Sequence, residues 1–228
     1  MVFGGLEKCT LIDYPGKVAC MVYTIGCNFR CPYCHNPELV DETVEAMITE
    51  KQVLDFLATR RDMLDGVVIT GGEPTMHDDL LKFMKKLKDR GFLVKLDSNG
   101  TRPTMIQEAI EKKLVDYIAM DIKSPMSKYS QTVARPVDTE AIRKSIAILM
   151  ASNAAYEFRT TVVKALIAPE DFHEIGREIR GAERYFLQKF VPTKILNPQF
   201  RKKVTYSDDE FRSFQEIMKS YVTYCGIR

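Results

Sequence analysis

The stretch Val18-Ala19-Cys20-Met21-Val22-Tyr23-Thr24-Ile25-Gly26-Cys27-Asn28-Phe29-Arg30-Cys31-Pro32-Tyr33-Cys34-His35 joins two signals that decide how this chain is built. Its first eight residues are a short, nearly continuous apolar run rich in strand formers, the pattern of a strand buried on both faces of a parallel sheet. Three cysteines at CxxxCxxC spacing follow at once. A tetrahedral zinc ion or an iron-sulfur cube normally takes four protein ligands. Three thiolates in one loop therefore leave a position open, and an open position serves chemistry rather than structure. Zinc, with His35 or another residue as the fourth ligand, is the competing reading. Structural zinc sites usually come as two knuckles far apart in sequence, however, and no second knuckle is present.

Outward from this stretch a strand-then-helix rhythm recurs. The spacing predicts a helix over 48–60 (Val53, Leu54, Leu57), a strand over 66–70 closed by Gly71-Gly72, and a helix over 78–90 stopped by Gly91. A third strand at 92–96 leads through Asp97-Ser98-Asn99-Gly100 into a helix from about Thr101, with Pro103 in its first turn. A fourth strand at 115–120 leads through a loop, 121–136, to a helix over 139–152 striped by Ile142, Ile146, Leu149 and Met150. A strand at 156–163, a helix at 169–180, a strand at 185–190 and a helix at 208–222 complete the series. Six βα units on short links imply a parallel sheet with right-handed crossovers and helices outside. Six are too few to close an eight-stranded barrel. The fold expected is therefore α/β, a partial, laterally open (βα)6 TIM-like barrel, with 17–222 as its core and 1–16 as an N-terminal extension of one domain spanning 1–228. Ligands of parallel α/β folds bind at the carboxyl ends of strands, and every polar cluster singled out below directly follows a predicted strand.

Composition narrows the classes. At 228 residues and 45% hydrophobic, the chain holds one sizeable core, and a net charge of +2 with scattered Lys and Arg gives no nucleic-acid footprint or polybasic membrane anchor. No apolar run approaches the roughly 18–20 residues of a membrane span, and Met1–Lys8 lacks the marks of a signal peptide, which places the chain in the cytoplasm. Its six cysteines then read as reduced thiols, and Cys9, Cys20 and Cys225, far apart and without CxxC partners, read as packed or incidental ones.

CxxxCxxC with Tyr33 before the last cysteine, followed one strand later by Gly71-Gly72-Glu73-Pro74, resembles the radical S-adenosylmethionine (SAM) superfamily. The resemblance implies a [4Fe-4S] cluster held by Cys27, Cys31 and Cys34, with S-adenosyl-L-methionine chelating the fourth iron through its amino and carboxylate groups. Splitting the sulfonium carbon–sulfur bond by one electron needs a low-potential donor set against the sulfur. In this reading Gly71 and Gly72 let backbone approach the methionine end, and Glu73 or exposed carbonyls meet its ammonium, with Tyr33 beside the same cofactor. Ser98 and Asn99 after the third strand, and Asp121 and Lys123 after the fourth, resemble loops of the glycyl-radical-activating branch that line the methionine carboxylate and ribose. His173 resembles the histidine that reaches the nucleoside in pyruvate formate-lyase activators. Arg159 points into or out of the barrel by an alternation the sequence leaves open.

Gly5–Gly16, together with Cys34-His35-Asn36-Pro37-Glu38-Leu39, is similar to activating proteins of the anaerobic ribonucleoside-triphosphate reductase; the likeness runs from about residue 3 to the end and thins after about 180. It implies reductive cleavage of SAM to a 5′-deoxyadenosyl radical that abstracts a glycine α-hydrogen on that partner enzyme, fed by an electron donor of flavodoxin or ferredoxin type. The larger accessory segment of members that enclose small substrates is missing, so the partner's glycine loop is expected to supply the lid. The alternatives are a short enzyme acting on a small molecule, as deazapurine synthases do, an activator of a pyruvate formate-lyase-type enzyme, and a zinc-bearing binding module without catalysis.

Overall fold

The computed structural model describes residues 1–228. Nine strands, β1 (Val2–Thr10), β2 (Ala19–Thr24), β3 (Ile48–Thr49), β4 (Gly66–Gly71), β5 (Leu93–Ser98), β6 (Tyr117–Asp121), β7 (Ala155–Val162), β8 (Arg184–Lys189) and β9 (Tyr224–Ile227), lie in one sheet of order β3-β1-β2-β4-β5-β6-β7-β8-β9. The helices are α1 (Pro37–Val40), α2 (Glu50–Ala58), α3 (Leu80–Lys88), α4 (Pro103–Glu111), α5 (Tyr129–Thr132), α6 (Thr139–Ala151), α7 (Asp171–Glu178) and α8 (Asp208–Lys219). From β2 to β9 every pairing is parallel. The six predicted βα units are present, as β2 with α2, β4 with α3, β5 with α4, β6 with α6, β7 with α7 and β8 with α8.

Three strands extend that reading. Residues 2–10, expected as an extension outside the core, form β1, antiparallel to β2 and pinned by Phe3, whose buried ring lies 5.0 Å from that of Phe83 on α3. Gly4-Gly5 interrupts its alternation, which hid it from the sequence pattern. Two-residue β3 and four-residue β9 are too short to show a period. The terminal strands β3 and β9 do not pair with each other, so the sheet is open. The predicted loop 121–136 contains α5, a single turn with Tyr129 and Thr132 buried.

Alternation along the strands divides the apolar residues between two layers. Val67, Ile69, Val94 and Leu96 join the main core with Leu57, Phe83, Ile106 and Ile146 from the helices. Ala19, Met21, Val68 and Ala119 join Tyr14 and Tyr117 in a smaller cluster. Burial on both faces is why β2 and β4 read as unbroken hydrophobic runs, each fully buried large side chain contributing about 1.5–3 kcal/mol. Towards the carboxyl ends of the strands the second face turns polar, with Thr70, Asp97, Asp121, Arg159 and Thr161 continuing the register of the small apolar cluster. The helices start where local chemistry directs: Thr49 with Gln52 and Ser207 with Glu210 form capping boxes for α2 and α8, and the Asp138 carboxylate accepts from the first turn of α6.

Candidate active site at the carboxyl ends of the strands

The loop after β2 is tied down before its cysteines are placed. Gly26 adopts φ +86°, its N–H donates to Leu39 O (2.8 Å) and its carbonyl accepts from Glu73 N–H (2.8 Å). Arg30 N–H donates to Val133 O (2.9 Å), and the buried Phe29 ring packs 6.1 Å from Tyr129 of α5. Cys27, Cys31 and Cys34 thus face one cavity of about 200 Å³, whose walls also include Tyr33, Gly71, Gly72, Glu73, Ser98, Asn99, Asp121 and Lys123. Eleven of the twelve residues singled out in the sequence are brought together. His173 is not: the inward positions of α7 are Phe172, Ile175 and Gly176, which leaves His173 exposed on the outer side, with Nδ1 3.1 Å from the Tyr221 hydroxyl.

All three thiols are unpaired. Burial pushes the Cys27 thiol up to about 12 and the Cys31 thiol to about 11, and also raises Cys34; Lys123 pulls each of them the other way. Thiols in such a setting stay protonated at neutral pH until a cationic centre displaces the protons. Tyr33 adds a hydroxyl, buried in the same wall, that has no hydrogen-bond partner. Three soft donors, an orphaned hydroxyl and no fourth protein ligand fit an iron-sulfur centre with one open position.

Gly71 and Gly72 line the cavity, and close backbone packing also requires glycine at both positions. A Cβ on Gly72 would lie 1.8 Å from Gly26 O, and one on Gly71, at φ +110°, would lie 2.5 Å from Thr24 N. Both positions press against the backbone that launches the cysteine loop, and Gly72 N–H donates to Thr24 O (2.9 Å). The two glycines hold the end of β4 against the end of β2.

Glu73 is likewise engaged by protein. Only 1% exposed, its carboxylate accepts from Ser98 Oγ (2.9 Å), Asn99 N–H (2.6 Å), Thr75 N–H (3.1 Å) and Thr75 Oγ1. Burial raises its pKa while these donors oppose the shift. It pins the loop after β5 to the loop after β4, so most of its acceptor capacity is already taken. Asn99 in turn donates to Asn28 Oδ1 (2.8 Å), which carries the tie back to the cysteine loop.

The structure also settles the orientation of Arg159. It points inward beside Asp121, its register partner on β6, and Nε donates to Asp121 Oδ1 (2.8 Å) while a terminal nitrogen reaches Asp97 Oδ2 (3.3 Å). Lys95 pairs with Asp97, and Lys123 Nζ with Asp121 Oδ2 (2.8 Å). The result is a ladder of alternating charge, Lys95–Asp97–Arg159–Asp121–Lys123, across β5, β6 and β7. Burial pushes both aspartates up, but Arg159 with Lys95 or Lys123 more than offsets it and holds both carboxyls below the usual range. The carboxylates in turn keep Lys123 and Arg159 charged. Asp97, Arg159, Thr70 and Thr161 were missed as site residues. Their signal was period two counted from Val68, which puts Thr70 on the cavity face, together with charges inside the strands at Asp97 and Arg159. The Asp121–Lys123 turn is fastened by Tyr129, whose hydroxyl accepts from Lys123 N–H (3.2 Å) and donates to Asp121 O (3.3 Å).

With this geometry in hand, comparison with known proteins gives a consistent picture. The family model described as the radical SAM superfamily matches residues 21–176. A putative glycyl-radical enzyme activating enzyme from Methanocaldococcus jannaschii is 35% identical over 231 residues, covering 98% of this chain and 94% of that protein. The pyruvate formate-lyase-activating enzyme of Clostridium pasteurianum is 30% identical over 131 residues, 54% of each chain, so the match spans about half its length. Among solved structures, a radical SAM methyltransferase from Sphaerobacter thermophilus superposes with a TM-score of 0.74 at 16% identity, covering 96% of this chain and 68% of that one, a likeness of fold alone.

Proposed function

The chain belongs to the radical SAM superfamily, whose members imply a [4Fe-4S] cluster and SAM, and from that premise we propose that it is an activase that installs a glycyl radical in a partner enzyme. The observation that carries this reading is the near full-length likeness to a putative glycyl-radical enzyme activating enzyme. The resemblance of Gly5–Gly16 and Cys34–Leu39 directs the choice of partner to the anaerobic ribonucleoside-triphosphate reductase. The activase works in the cytoplasm, on an open sheet curled as a partial barrel; no helix is long and apolar enough to cross a membrane.

Cys27, Cys31 and Cys34 would hold the cluster, which when bound supplies the electron that splits the sulfonium and releases the 5′-deoxyadenosyl radical. The chain's own residues do the rest. Lys123 stands by the thiols as the cation that favours their deprotonated form, and Asp121 and Arg159 fix it in place. Ser98, Asn99 and Glu73, locked to one another, present a preorganised polar rim for the methionine end and ribose, so little reorganisation is needed on binding. Asp97 and Thr161 line the same cavity, Tyr33 offers its unpartnered hydroxyl, and Gly71 with Gly72 sets the spacing of the two loops. His173, exposed and 3.1 Å from the Tyr221 hydroxyl, stands outside the cavity lining. A backbone glycine is a suitable substrate because it brings no side chain into the cavity.

The test is anaerobic. Reconstituted, reduced protein with SAM and the reductase should give a glycine-centred paramagnetic signal, with about one cofactor cleaved per partner chain. No such signal with the reductase, a pyruvate formate-lyase-type enzyme or any other glycyl-radical candidate, alongside multiple turnover on a small molecule, would overturn the assignment.

A further inference from the structure

Between β8 and α8 the chain runs across the cysteine loop as a strap. Leu196 N–H donates to Cys34 O (2.9 Å), and Asn197 N–H donates to Pro32 O (2.9 Å). Ile195 is buried and Phe200 packs against the core, while a short helical turn, Pro198–Lys202, is capped by Asn197. The strap is thus fastened by its apolar and backbone groups to the segment that bears the cluster ligands. No residue of 190–206 lines the cavity, although Val191 O lies 2.8 Å from Nε2 of His35, which does, so the strap grips the cysteine loop from outside the cavity.

Its charge is unlike that of the rest of the chain. Residues 191–204 carry Lys194, Arg201, Lys202 and Lys203 and no carboxylate, in a protein whose net charge is +2. All four cations are exposed. Lys194 is neutralised by Glu38 (2.8 Å), whereas the other three have no acidic partner. The acids that follow in the first turn of α8 are engaged elsewhere: Asp208 with Lys189, Glu210 with Lys164, Asp209 with Arg212. Unpaired, solvated cations on a short rigid turn contribute little to folding, and side chains of this sort act mainly by steering a charged partner and fixing its register.

We infer that Arg201, Lys202 and Lys203 form the docking face for an acidic one-electron donor protein, which approaches the cysteine loop from outside the cavity. The inference rests on the proposed cluster at Cys27, Cys31 and Cys34. It explains how electron entry and substrate access avoid competing: the donor covers the outer side of the loop while the cavity side stays open to cofactor and partner. One electron leaves the donor, which is oxidised by one unit; the centre held by the three cysteines accepts it, and no atom is transferred.

The experiment compares the reconstituted wild type with the triple variant Arg201→Glu, Lys202→Glu, Lys203→Glu, and with the corresponding Gln triple, using a reduced acidic flavodoxin as donor and dithionite as a small reductant. Cleavage of SAM driven by dithionite should be equal in all three. Flavodoxin-driven reduction should fall about tenfold or more in the Glu triple and less in the Gln triple, and the steep salt dependence of the wild type should be lost. Binding of oxidised flavodoxin, measured by calorimetry, should weaken in the same order. Equal flavodoxin rates and affinities across the three proteins would overturn the inference. So would unchanged flavodoxin binding with weakened binding of the glycyl-radical partner, which would give the strap to the substrate protein instead. Failure of the wild type to cleave SAM even with dithionite would instead strike the proposed function, and the calorimetric comparison would still decide the docking face.

Discussion

Replacing Gly72 by Ala separates two explanations of the Gly-Gly pair, one in which the glycines admit a cofactor and one in which they seat β4 against β2. The added methyl would lie 1.8 Å from Gly26 O and 2.7 Å from Gly26 C, both backbone atoms that no side-chain rotation can move aside. Relief requires the loops to part by more than an ångström. That breaks or stretches the Gly72 N–H to Thr24 O bond (2.9 Å) and the Glu73 N–H to Gly26 O bond (2.8 Å). Overpacking costs about 1–3 kcal/mol and each of the two hydrogen bonds about 0.5–1.5 kcal/mol, so Gly72→Ala should lose about 2–6 kcal/mol. In a chain of this length, at about 2–4 °C per kcal/mol, that corresponds to a fall in Tm of about 4–24 °C. Gly91→Ala is the control: its φ of +84° strains an alanine, but no atom lies within 4 Å of the added methyl, so only about 1–2 kcal/mol is lost. Anaerobic thermal denaturation of the cluster-free proteins gives both values. A Gly72→Ala protein as stable as Gly91→Ala, yet unable to bind SAM after reconstitution, would refute the packing argument and restore the cofactor explanation.

Other outcomes follow from the same geometry. Arg159→Met leaves Asp97 and Asp121 one cation short, and removing one partner of a buried ion pair costs about 3–5 kcal/mol at neutral pH. The folded carboxyls titrate below their ordinary 3.8, so the stability they contribute is present above that pH and is lost as pH falls; the gap between wild type and variant in urea should therefore narrow below about pH 4. Glu73→Gln sets an amide donor against a site filled by four donors and should lose about 1–3 kcal/mol, read from the denaturation midpoint, with loosening of the loop after β5 in hydrogen exchange. His173→Ala should leave SAM cleavage within twofold of wild type, because its partner is Tyr221 on the outer surface; a large loss would mean that α7 reaches the cofactor in the working enzyme. Cys31→Ala should abolish both iron incorporation and SAM cleavage, whereas Cys20→Ala, fully buried and far from the cavity wall, should cost only about 1 kcal/mol of packing.

Local pattern was sufficient for part of this molecule. The CxxxCxxC loop after an apolar strand, the six βα units and the polar clusters at strand ends are all written in contiguous residues, because helix and strand periods and ligand spacing are short-range properties. Eleven cavity residues could be named from these patterns together with the family resemblance that they carry. Three things could not. β1 and β9 carry too little period and exist because the sheet offers them an edge. The inward aim of Arg159 and its ladder to Asp97 and Asp121 depends on the register of β6 against β7, over a separation of 38 residues or more. The work of Gly72 and Glu73 depends on which backbone lies against them, Gly26 for the one and Ser98-Asn99 for the other. His173 marks the limit in the other direction, since a helix decides which of its faces is buried only when it meets the sheet. Sequence determined which groups this protein has available for chemistry and in what order along the chain. Tertiary structure alone decided which of them share a cavity, because that rests on contacts between strands whose alignment no single segment encodes.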